Sequence, residues 1–208
     1  MNLTRTTTTA EPATPPRTKP SSPTAYAHRG ELAAGILAAL GAIACAAQGI
    51  IEIAHGGLPE KVTTASEHAG LALFAAALVL VLPALLALGR RAGSSQPALI
   101  AAAGLAALAA ASVVADAVGH DPFIFAVVAP IANAAWLGGF VWLAVRLTRR
   151  RLVPRAIAIG LPISYLCTIP LATHGGGILA AIYWLMVTAL LTGTGHRAKR
   201  PGRTQGTV

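Results

Sequence analysis

Charge is scarce in this chain. Of its 208 residues only 11% are Asp, Glu, Lys or Arg, and seven of these are acids. A soluble domain is nearer a quarter charged, so an ordinary water-facing surface is excluded. Cysteine is scarce too. Cys45 and Cys167 are the two present, both inside apolar runs, which excludes a disulfide framework. There is no phosphate-binding loop, no CxxC pair and no dinucleotide fingerprint, so the common nucleotide and thiol-redox sites have no foothold.

What is present is apolar. The chain is 55% hydrophobic, with a mean hydropathy of +0.65. The net charge of +9 invites a nucleic-acid partner. The placement of the basic residues refuses it, because they flank apolar runs, where they hold loops in the cytoplasm and face anionic lipid headgroups. Thirteen of the 16 basic residues are Arg and alanine is abundant, a bias associated with bacterial genomes of high GC content.

The strongest marker is Arg146, Arg149, Arg150, Arg151 and Arg155, packed into ten residues between two long apolar runs. Such a cluster crosses a bilayer at high cost, so it marks a cytoplasmic loop and orients the rest. Around it the runs read as six transmembrane helices. They extend from Leu32 to about Ala54, Ser66 to Leu88, Pro97 to Gly119, Pro122 to about Leu147, Pro154 to about Thr173, and Ile178 to Leu191. Most match the roughly 20 residues that a 30 Å hydrocarbon core requires. Thr64 and Glu67 have capping-box spacing at the second helix. Asp121-Pro122 reads as a cap and first helical residue for the fourth. The third helix is nearly all Ala, Leu and Val, small enough to be placed inside the bundle. Trp142 is an interfacial anchor near the Arg cluster.

Six spans alternate sides. Both tails and the loops carrying Arg90-Arg91 and Arg146 to Arg155 fall on one face, with every Lys and Arg except Lys61. The fold class is therefore all-α, a polytopic membrane protein with a bundle of six transmembrane helices and both termini cytoplasmic. Residues 1–30 read as a disordered Thr/Pro-rich tail, 31–194 as the membrane domain and 195–208 as a basic tail. A multi-pass protein of the bacterial inner or plasma membrane follows. Ala42-Ile43-Ala44-Cys45 faintly resembles a lipoprotein cleavage box, but the apolar run continues well past Cys45.

The opposite, outer face gathers polar residues. Glu52, His55, His68, Asp116, His120 and His174 come from the ends of four helices and lie near one membrane plane. Gln48, Glu52 and His55 are spaced four and three apart, as are Ser112, Asp116 and His120 at four and four, so each set is expected to share a helix face. Asp116 is expected to be the deepest acid and to pair with His120. Glu-x-x-His is a ligand spacing of di-metal helix bundles, and imidazole with carboxylate suits Zn, Fe or Mn; two facing histidines could instead clamp a haem. Against this stands a structural polar collar, with Glu67 as a cap and Asp116 bonded along its own helix. Two further patterns carry no chemistry. His174-Gly175-Gly176-Gly177 mimics an esterase oxyanion loop without a nucleophile elbow. Ser112, Asp116 and His120 stack on one helix, where a triad would need the serine and acid on opposite sides of the imidazole.

The expected function is a non-enzymatic accessory, regulatory or assembly component. Its partners would be the bilayer, anionic headgroups at the cytoplasmic face and a membrane protein, with no nucleic acid and no cofactor. One alternative is a redox or metal-dependent membrane enzyme using Zn, Fe or haem at the outer-face cluster. Another is a component of proton or small-ligand transport, with Asn133, Ser164, Tyr165 and Thr168 along a narrow path.

Overall fold

The computed structural model describes residues 23–55, 63–120 and 123–197. Among these are six α-helices, one 3-10 turn and no strand. The helices are α1 Pro23–His55, α2 Ala65–Arg91, α3 Gln96–Val118, α4 Phe125–Arg150, α5 Arg155–Thr168 and α6 Gly176–Arg197, with the 3-10 turn Ala172–His174 before α6. Five of them, all but α5, are long and apolar enough to cross a membrane. The chain is therefore an all-α, multi-pass membrane protein.

The helix ends follow local chemistry. Thr64 caps α2 by accepting from the Glu67 amide, and the Glu67 carboxylate accepts back from the Thr64 amide. Pro97 sits in the first turn of α3, where its missing N–H costs nothing. α3 ends on Gly119, in the left-handed conformation that glycine tolerates best. α4 ends on Arg151 with φ 52, the one non-glycine in that region among the described residues. Trp142 stands near that end with the Arg146 guanidinium 5.4 Å from its ring centre, a cation–π contact.

Several expected boundaries move. α1 begins at Pro23, so residues 23–30 are helical rather than part of a disordered tail. α6 runs past Leu191 to Arg197. α4 begins at Phe125, and the expected Asp121-Pro122 cap lies outside the described residues. The largest change is in α5, which stops at Thr168 instead of continuing to Thr173. Pro170 has no N–H to give Leu166, and the Leu171 amide bonds to that carbonyl instead at 3.3 Å. The ladder slips by one residue there and the helix breaks. At 14 residues α5 is about 21 Å long, short of the roughly 30 Å core.

Each helix packs on its neighbours in sequence, and α6 returns to close against α1. The result is a closed ring. The third helix is accordingly on the perimeter, touching α2 and α4 and exposing Leu99, Ile100, Val113, Val114 and Val118. Small side chains brought it close to its neighbours but did not draw it to the centre. Lipid is as apolar as leucine, so helix association rests on close packing. Glycines provide it. A Cβ at Gly139 would lie 2.6 Å from the Ala101 nitrogen, and one at Gly104 would strike the Ala132 carbonyl, so α3 and α4 meet backbone to backbone. Gly49 of α1 and Gly177 of α6 make the same kind of crossing. The Gly175-Gly176-Gly177 run is thus a packing device. A side chain at Gly176 would collide with the Cys167 carbonyl of α5.

Aromatic rings fill the centre. Trp136 stands edge-on to Phe140 and to Tyr165, with centroids 5.9 and 5.0 Å away, and Phe140 meets Trp184 at 6.4 Å. Such edge-to-face pairs contribute about 0.5–1.5 kcal/mol each beyond simple burial.

Candidate functional site

Two ends of the ring differ in chemistry. The Arg end carries the turns after α2 and α4, and Arg91 there grips Glu31 of α1 with two bonds, Nε to Oε1 at 2.9 Å and Nη2 to Oε2 at 2.8 Å. The six residues singled out from the sequence belong to the opposite, His end. They do not gather into one cluster, and among the described residues no three His, Cys, Asp or Glu side chains come together to hold a metal ion.

His55 closes the end of α1. Its Nδ1–H donates to the Ile51 carbonyl at 2.8 Å, capping an orphan of the last turn. In the neutral ring this leaves Nε2 to accept from the Ser66 hydroxyl of α2 at 3.1 Å. Ser66 in turn lies 3.1 Å from Thr64 Oγ1. Both ring nitrogens are engaged, and the ring joins α1 to α2. Glu67 is spent on the same junction, accepting from the amides of Thr63 and Thr64 at 2.7 Å each.

Asp116 is paired differently from expectation. Its Oδ1 accepts from His68 Nδ1 of α2 at 2.6 Å, a contact across helices rather than along α3 to His120. Nor is it the deepest acid: its side chain is 32% exposed, whereas Glu52 is 3% exposed. Ser112, one turn away, is buried and bonded to the Leu108 carbonyl. His120 and His174 are both exposed, each with interactions of its own.

Glu52 and His55 also part company. Glu52 faces the ring interior with Gln48, whose Nε2 donates to Glu52 Oε1 at 2.7 Å. Three residues on, His55 is outside. The i, i+3 spacing holds, but the helix turns the boundary between interior and surface between the two side chains. Glu52 and His55 thus form no shared ligand pair.

The interior is the feature that sequence spacing did not reveal. A cavity of about 10 Å³, the room of one water molecule, lies at the ring centre. Every helix contributes a wall: Gln48, Phe74, Leu105, Trp136, Thr168 and Trp184. Gln48 Oε1 and Trp136 Nε1, both on residues of this wall, have no hydrogen-bond partner among the described residues, and neither do Glu52 Oε2 and Asn133 Oδ1. Ser164 and Thr168 bond to carbonyls of their own helix, at Leu161 and Ser164, as such residues commonly do in membranes. Asn133 Nδ2 likewise bonds the Ala129 carbonyl. The signals in the sequence for this interior are Trp136 and Trp184, each within an apolar run. Tryptophan concentrates at interfaces, and a mid-run tryptophan points inward.

What the arrangement can do follows from its partners. The His end joins α1 to α2 and α2 to α3 through side-chain bonds. The interior sets an amide and an indole beside a space of solvent-molecule size, with the Glu52 carboxyl bonded to that amide. Comparison with protein families, with characterised proteins and with solved structures finds no match.

Proposed function

We propose that this chain is a small, non-enzymatic component of the cell membrane, acting as an accessory, regulatory or assembly subunit through another membrane protein. One observation carries the reading. The polar groups at the His end are committed to holding helices together: His55 uses both nitrogens on Ile51 and Ser66, Glu67 caps α2, and His68 is bonded to Asp116. A catalytic or metal site needs such groups convergent and available; here they are distributed and engaged. The Arg end faces the cytoplasm in this reading, with both termini there, since that end carries Arg90, Arg91, Arg149, Arg150 and Arg151. Those residues dock anionic headgroups.

The test is chemical crosslinking in native membranes, followed by gentle solubilisation and purification of the complete chain. The expected result is a defined membrane protein recovered with it at constant stoichiometry. Repeated recovery of the lone chain would overturn the proposal.

A second reading, a component of proton or small-ligand transport, draws on a different observation. Glu52, Gln48 and Trp136 are at most 3% exposed and carry polar atoms without partners. Buried ionisable groups in membranes mark pathways by default. The small volume of the central cavity favours the first reading over this one.

A further inference from the structure

The flank of the ring between α2 and α3 is not flat. At the Arg end the two helices are tightly joined, with Gly89 directly against Ala98. Toward the His end they enclose a groove of about 780 Å³, open to the side. Alanines make half of its lining, Ala72 and Ala76 from α2 and Ala106 and Ala110 from α3 with buried Ala75 and Ala109 at its base, and Leu71, Val113 and Val114 add apolar surface toward the His end. At the His end Asp116 lines the groove, bonded through Oδ1 to His68.

Three properties define what fits. The first is length. From Asp116 to Ala106 is ten residues, about 15 Å along the helix, which equals one leaflet of a roughly 30 Å hydrocarbon core. The second is polarity, which is confined to one end, where the interface lies. The third is the shape of the remaining half. Val79 closes the far end of the groove, and beyond it α3 presents exposed Leu99 and Ile100 as a bulky ridge. A partner helix spanning the whole bilayer would meet that ridge; an acyl chain that ends at the midplane does not.

We propose that this groove binds one phospholipid of the adjoining leaflet, an acyl chain lying over Ala76 and Ala110 and an ammonium headgroup resting on Asp116. The headgroup assignment comes from charge. Asp116 Oδ2 makes no hydrogen bond among the described residues, and its side chain is partly exposed. A carboxylate attracts an ammonium and repels a headgroup whose only charge is its phosphate. His68 fixes the carboxylate in place through its other oxygen. The site goes beyond the accessory reading and does not rest on it.

Native mass spectrometry of the full chain, stripped of lipid and then given equal amounts of phosphatidylethanolamine and phosphatidylglycerol with identical chains, tests this. One bound lipid is expected, with a several-fold preference for phosphatidylethanolamine. Ala76→Leu with Ala110→Leu fills the groove and should abolish the bound lipid. Asp116→Asn leaves the groove open, so a lipid should remain while the headgroup preference falls to near equality. That second variant keeps the test decisive should the double leucine variant fail to fold. Lipid retained at full level by a folded, groove-filled variant would overturn the proposal. So would a preference for phosphatidylglycerol, or a second copy of the chain in place of the lipid.

Discussion

Gly138 and Gly139 are adjacent in α4 and should respond oppositely to the same substitution. Around Gly138 no atom lies within 4 Å of an added Cβ. Alanine there faces open lipid and gains the helix propensity that glycine lacks, about 0.8–1 kcal/mol. At Gly139 the same methyl would sit 2.6 Å from the Ala101 nitrogen and 2.7 Å from both the Ala101 Cβ and the Pro97 carbonyl oxygen. Comfortable contact begins near 3.4 Å, and none of these three atoms is the end of a flexible side chain. α4 must therefore move off α3 by roughly 1 Å, and overpacking of this kind costs about 1–3 kcal/mol. The propensity gain is common to both variants, so their difference isolates the packing cost. For a chain of this size that difference corresponds to a separation in melting temperature on the order of 5 °C. Thermal melts followed by circular dichroism in one detergent would measure it, with Gly138→Ala above the parent and Gly139→Ala below it. Equal shifts would mean that α3 and α4 are not in backbone contact, and the glycine account of the ring would fail with them.

The interior makes a second pair of opposed predictions. Trp136→Phe removes an indole N–H that lacks a partner and keeps an edge-on ring, so stability should hold or rise by about 1 kcal/mol. Gln48→Leu deprives the buried Glu52 of its amide donor and should lower stability by about 1–3 kcal/mol; melts of both variants check the signs. Sidedness is tested by cysteines placed at Ala65 and Ser95 in intact cells, where an impermeant reagent should label Ala65→Cys alone. Purified folded protein should be colourless and metal-free by absorption and elemental mass spectrometry; near-stoichiometric Fe or Zn, lost in His55→Ala, would restore the metal-enzyme reading.

Much of the fold was legible because a membrane simplifies the code. Long apolar runs, a capping box at Thr64 and a Gly119 terminus locate helices without knowledge of their neighbours. Short connections then make sequence neighbours into spatial ones, which is the ring. The break in α5 was foreshadowed by Pro170, yet where a helix stops depends on which carbonyls find new donors, here the Leu171 amide. The site was less legible for a geometric reason. A four-residue spacing reports that two side chains share a face, not which way the face turns. Counting along the sequence placed Asp116 deeper than Glu52, whereas the packing of α1 against α2 and α6 is what buries Glu52. The partner of Asp116 lies 48 residues away on an antiparallel helix. His120 was the nearer choice in sequence, but it lies past the Gly119 end of α3, and the register of α2 against α3 selects His68.

That choice can be measured directly. A double-mutant cycle on His68→Ala and Asp116→Asn, read by thermal melts, tests whether the polar groups of the His end hold helices together. The account predicts a coupling of about 1 kcal/mol for this partly exposed charged contact. It also predicts additivity within about 0.5 kcal/mol for a parallel cycle of His120→Gln with Asp116→Asn. Coupling to His120 with none to His68 would contradict the account.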